Sequence, residues 1–123
     1  FVSLKVHQIA IYLTLIFGLA IAWGTLMPLK ELPPVPGTDK IQHLFAFGVF
    51  VLPVSLLMPS RTLPIFIIAV LYGGLIEIIQ PYVNRYGELG DFLADAGGAV
   101  VGVLIGRMIL MLIERKRAGT EHG

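Results

Sequence analysis

Four long apolar runs dominate the chain, at residues 9–27, 41–58, 63–79 and 92–113, and polar residues gather in short clusters at their ends. Each run approaches the roughly 20 residues that a helix needs to cross a hydrocarbon core about 30 Å thick. In lipid such a run must satisfy its backbone N–H and C=O groups internally, which a helix does. The pattern therefore predicts an all-α protein, an integral membrane four-helix bundle, with residues 1–123 forming a single transmembrane domain and no separate soluble domain. The first run also satisfies a signal-peptide reading, because Lys5 precedes it and the small residues Ala20 and Ala22 fall within it. It continues past them to Met27, longer than a signal core, and Trp23 stands where an interfacial anchor would, so a retained helix is expected.

Composition supports the same solvent. A chain of 123 residues that is 56% hydrophobic and 14% charged, with mean hydropathy +0.85, carries more apolar surface than a water-soluble fold of that size can bury. The formal net charge of +1, with no basic face, argues against nucleic acid as a partner. Without cysteine the chain has neither disulfides nor thiolate metal sites.

Basic residues set the expected orientation. Arg115, Lys116 and Arg117 follow the last run, and Arg107 can snorkel toward the same side from about 9 Å inside the helix end. Lys5 and the short loop bearing Arg61 fall on that side too. By the positive-inside rule the N and C termini are cytoplasmic, and the loops at 28–40 and 81–90 lie outside.

That topology puts three polar clusters at the outer face: Asp39, Lys40 and His43 at the head of the second run, Glu77 and Gln80 at the tail of the third, and Asp91 and Asp95 at the head of the fourth. Within each cluster the spacing of three or four residues keeps the side chains on one helix face, so the three sets are expected to meet in one site. Tyr82 and Tyr86 in the outer loop, with Trp23, mark the interface beside it. A second pattern concerns packing. Ala94, Gly98, Gly102 and Gly106 recur every fourth residue, a small-residue seam for close approach of another helix; the doublets Gly97–Gly98 and Gly73–Gly74 can serve such contacts or give local flexibility, and contact is expected. Pro33, Pro34 and Pro36 stiffen the first outer loop, Pro53 is expected to kink the second span, and Pro81 to stop the third near Gln80.

Each polar residue also has a plainer role open to it. Asp39 with Gln42 resembles a capping pair, Asp91 can cap the fourth helix, and Asp95 gains from the macrodipole. Lys40 can snorkel to headgroups, and Arg85 with Glu88 can form a solvated loop pair, so Glu88 is set aside. A buried His43 is more often hydrogen-bonded structure than a ligand or base. Glu77 resists such treatment: it sits in an apolar stretch at a helix C-terminus, where the dipole disfavours an anion, and must either carry a proton or pair with His43, Lys40 or Arg85.

The run Asp39-Lys40-Ile41-Gln42-His43-Leu44-Phe45-Ala46-Phe47, then Tyr72-Gly73-Gly74-Leu75-Ile76-Glu77-Ile78-Ile79-Gln80, then Arg85 and Asp91-Phe92-Leu93-Ala94-Asp95-Ala96-Gly97-Gly98, resembles the VanZ-like family. Its members are small bacterial membrane proteins, and the founding one is linked to resistance to the glycopeptide teicoplanin. The resemblance implies a multi-pass protein of the bacterial cytoplasmic (inner) membrane and maps the family's polar pattern onto Asp39, Lys40, His43, Glu77, Gln80, Arg85 and Asp91. At position 95 the family leads one to expect Asn where this chain has Asp.

Three functions stand open from these readings. The first is a cell-envelope protein whose outer-face pocket binds a lipid-linked cell-wall precursor or an anionic lipid headgroup, with Asp39, Lys40, His43, Glu77, Gln80, Arg85, Asp91 and Asp95 as lining. The second is an enzyme on a polyprenyl-phosphate-type lipid with His43 or Glu77 as acid or base. The third is a structural bundle, as a homo-oligomer or alone. The cluster is acidic overall, so an anionic ligand requires protonated acids or a bridging divalent cation, Mg²⁺ or Ca²⁺ by its oxygen ligands, with zinc a weaker fit.

Overall fold

A computed structural model describes residues 4–28, 40–83, 85 and 87–122. Asp39, Tyr86 and the proline-rich loop before Asp39 lie outside the described residues. Four α-helices follow in order: α1 (Leu4–Leu26), α2 (Lys40–Leu57), α3 (Thr62–Ile79) and α4 (Leu89–His122). All four are long and apolar enough to cross a membrane, and no strand occurs among the described residues. Short 3-10 turns at Pro59–Arg61 and Gln80–Val83 flank α3. The second turn follows from Pro81, whose missing N–H cannot continue the ladder of α3. Pro53 lies buried inside α2, which the structure shows as one continuous helix.

The fourth helix departs from its expected limits at both ends. Its start moves to Leu89, because the N–H groups of Asp91 and Phe92 both reach the carbonyl of Glu88 at 3.1 and 3.2 Å. Asp91 is therefore not the cap but a first-turn residue. At the other end the apolar run stops at Ile113, yet the strong helix formers from Glu114 to Ala118 carry the helix on to His122.

The bundle is organised around α2. Its most extensive packing is with α4, to which it runs parallel, and the small-residue seam accounts for it. A Cβ on Gly98 would fall on the carbonyl of Leu44, one on Gly102 on the carbonyl of Gly48, and one on Gly106 would lie 2.9 Å from Cβ of Ser55. Leu44, Gly48 and Ser55 form a matching row on α2, so the two backbones touch over three turns. The doublets behave differently from expectation: a Cβ on Gly97 meets nothing within 4 Å, and one on Gly74 makes ordinary contact with Phe92 at 3.4 Å, whereas one on Gly73 would lie 2.9 Å from Asp95 Oδ2.

Ile21, Phe47, Phe50, Val51, Val54, Ile65, Ala69, Ile76 and Ala99 make the core. At its centre Phe47, Phe50 and Tyr72 stand with ring centroids 5.7–6.1 Å apart. Leu19, Trp23, Phe45, Leu71 and Ile78 are exposed on the outside, as a lipid-facing surface requires.

Candidate functional site

The N-terminal ends of α2 and α4 and the C-terminal end of α3 meet at one end of the bundle, and their polar side chains are drawn together there. His43 lies one turn into α2 and is buried, as are Asp91 and Asp95 on α4. Its Nδ1 is 2.7 Å from Asp95 Oδ1. With Asp95 ionised the proton must sit on Nδ1, which then donates to the carboxylate. The other ring nitrogen, Nε2, faces Asp91 Oδ2 at 3.9 Å, and Asp91 Oδ1 accepts from Lys40 Nζ at 3.3 Å. Lys40 Nζ is also 4.0 Å from Glu88. Four residues from two adjacent helices thus line up as Lys40, Asp91, His43 and Asp95. Asp91 in the first turn of α4 gains from the helix dipole as well.

Glu77 has a partner that no sequence pattern announced. Gly87 folds back so closely on the end of α3 that a Cβ there would lie 2.5 Å from the Glu77 carbonyl. That approach delivers the backbone N–H of Glu88 to Glu77 Oε2 at 2.8 Å. The other carboxylate oxygen, Oε1, is buried with no hydrogen-bond partner among the described residues. One donor atom each from His43, Glu77 and Asp95 lies within 4.8 Å of the other two. Glu88, set aside on sequence grounds, belongs to this neighbourhood through its main chain.

Gln80 and Arg85 turn the other way, toward α1. The Gln80 amide donates to the carbonyl of Thr25 at 3.0 Å, and Arg85 Nη1 donates to that of Met27 at 2.9 Å. The last carbonyls of a helix lack intrahelical partners, so these two side chains cap α1 from outside, and the guanidinium complements its dipole. Tyr72 adds a third tie, from its hydroxyl to the carbonyl of Gly18 at 2.5 Å.

Between these two groups lies a cavity of about 240 Å³. Ile21, Gly24 and Thr25 of α1 and Ala46 and Phe47 of α2 form its largely apolar walls, and His43, Gln42 and Arg85 its polar end. Among the described residues, no carboxylate lines it. The acids sit behind His43, on the α3–α4 side, where Glu77, Glu88 and Phe92 border a separate shallow groove. The sequence placed all the polar residues in one pocket; the structure divides them into an acidic side and a cationic, cavity-lining side with His43 at the junction.

A helical multi-pass membrane protein with a buried polar cluster at one end and an amphipathic cavity beside it is the class that fold and site define. A family model described as VanZ/LLP1 matches residues 4–111. The chain belongs to that family. No curated protein and no solved structure shows significant similarity to it.

Proposed function

We propose that the chain binds a phosphate-bearing membrane amphiphile, a lipid-linked cell-wall precursor or an anionic headgroup lipid, in the α1–α2 cavity at the outer face of the bacterial inner membrane, and thereby affects glycopeptide (teicoplanin) susceptibility. The observation that carries this reading is the cavity's lining: apolar walls for an acyl or prenyl chain, and Arg85 with Gln42 and His43 for a headgroup. The charge conflict in the sequence is eased by the division of the site, since an anion beside Arg85 has His43 between it and Glu77, Asp91 and Asp95. A guanidinium has five donors, so its bond to Met27 leaves capacity for a phosphate.

Gly24 offers a clean test, because a Cβ there meets nothing within 4 Å although the residue lines the cavity. Gly24→Leu is expected to fill the cavity without disturbing the fold. In detergent, a polyprenyl phosphate should raise the Tm of the unaltered protein; Gly24→Leu and Arg85→Ala should each abolish most of that rise. An undiminished rise in both variants would overturn the reading. The orientation is tested separately: Arg117→Cys should be labelled by a membrane-impermeant thiol reagent only after the cells are opened.

A second reading, an enzyme on the same class of lipid, is favoured by one contact. Asp95 holds His43 by Nδ1 while the imidazole borders the cavity, the arrangement of an oriented acid or base. Glu77 opens on the other groove and fits that role less well. Release of inorganic phosphate from the polyprenyl phosphate in the same assay would favour this reading over binding alone.

A further inference from the structure

From the cluster behind the cavity we infer that His43, Glu77 and Asp95 form a binding site for a single divalent transition-metal ion of the zinc class. The three come from three helices, α2, α3 and α4, and bring one donor atom each to within 4.8 Å of the others, with His43 and Asp95 buried and Glu77 half-buried. Imidazole nitrogen and carboxylate oxygen are both zinc ligands, and three protein ligands leave a tetrahedral ion a further position open. A tetrahedral ion with bonds of about 2.0 Å needs ligand atoms about 3.3 Å apart. Nδ1 of His43 and Oδ1 of Asp95, at 2.7 Å, open by about 0.6 Å to admit it, and Glu77, within 4.8 Å of both, closes by at most about 1.5 Å.

Three further observations point to an ion rather than to an ordinary polar cluster. Glu77 Oε1 is buried with no hydrogen-bond partner among the described residues, while its sister oxygen is held in place by the Glu88 N–H at 2.8 Å. A carboxylate fixed at one oxygen with the other aimed at nothing is costly in an apolar setting, and a coordinated cation removes that cost. His43 turns its second ring nitrogen toward Asp91 Oδ2 at 3.9 Å, with Asp91 itself held by Lys40, so a small closure would give the carboxylate–histidine pair that orients metal-bound imidazoles. Charge agrees as well, because two carboxylates and a neutral imidazole are balanced by a divalent ion. The donor set narrows the ion: Ca²⁺ takes about 6–8 oxygen ligands and Mg²⁺ keeps several waters, whereas a site of three protein donors with an imidazole nitrogen suits Zn²⁺ and its transition-metal neighbours.

The assignment does not rest on the amphiphile reading, and its test uses no lipid. Protein purified in detergent, stripped with chelator and dialysed against Zn²⁺ should hold one equivalent by elemental analysis, with a Tm above that of the stripped form. Co²⁺ in its place should give the visible absorption of a four-coordinate ion. Glu77→Gln, which keeps side-chain volume, and Asp95→Asn should each weaken Zn²⁺ binding by more than about 100-fold, since loss of an outer partner alone costs about 10–100-fold. Glu114→Gln, at the far exposed end of α4, should bind as the unaltered protein does. Zn²⁺ that is substoichiometric, or retained equally in Glu77→Gln and Asp95→Asn, overturns the site; a Tm rise with Mg²⁺ or Ca²⁺ but not with Zn²⁺ or Mn²⁺ overturns the class of ion. In every such case the response of Arg85→Ala to polyprenyl phosphate still decides the proposed function on its own.

Discussion

Asp95→Ala is expected to destabilise the bundle by about 2–3 kcal/mol, while Asp95→Asn costs no more than about 1 kcal/mol. Asp95 is fully buried and its carboxylate lies 2.7 Å from His43 Nδ1. Alanine removes the acceptor of the imidazole N–H; asparagine keeps a carbonyl oxygen to accept it. Neutral hydrogen bonds between membrane helices average about 0.6 kcal/mol, because an unfolded chain within lipid also finds partners. The size of the alanine loss therefore reports the character of the pair. Reversible unfolding in mixed micelles measures both variants, and equal losses below about 1 kcal/mol would show that the pair is neutral and dispensable to the fold.

Gly98→Ala is the second large effect, and it is sharpest against its neighbour. Alanine is the better helix former by about 1 kcal/mol, so by propensity alone both Gly97→Ala and Gly98→Ala should stabilise α4. At Gly97 the new methyl meets nothing within 4 Å, and a gain of up to about 1 kcal/mol is expected. At Gly98 it would land on the Leu44 carbonyl, a backbone atom that cannot rotate away. The two helices must separate, at a cost of about 3 kcal/mol or more. Thermal unfolding of the two single-methyl variants side by side checks this, and similar Tm values would mean that the α2–α4 seam is looser than the contacts imply.

The seam was legible because small residues every fourth position leave one reading in a membrane helix. The four helices were legible for an equally simple reason, the length of the apolar runs. Boundaries were less so: the end of α4 is set by helix propensity after hydropathy has stopped, and its start by a loop that folds onto Glu88. At the site, spacing correctly put Asp91 and Asp95 on one face of α4, both turned toward His43. The same rule misled for Glu77 and Gln80. Three residues apart leaves about 60° between side chains on a helix, enough at the crowded end of α3 to send one to Glu88 and the other to α1. The role of Arg85 as a cap for α1, the partner of Glu77 and the cavity itself depend on distances between helices, which periodicity along one helix does not contain.

Three hydrogen bonds that fasten α1 end on main-chain oxygens: Gly18, Thr25 and Met27 offer carbonyls to Tyr72, Gln80 and Arg85. Such clasps are blind to what α1 carries on its lipid side. Drift among Leu15, Leu19 or Trp23 leaves them intact, whereas a methyl at Gly18 presses on Phe50 at 3.1 Å. The first helix is thus free to be rewritten for bilayers of different thickness or lipid composition while the chemistry beside it stays fixed.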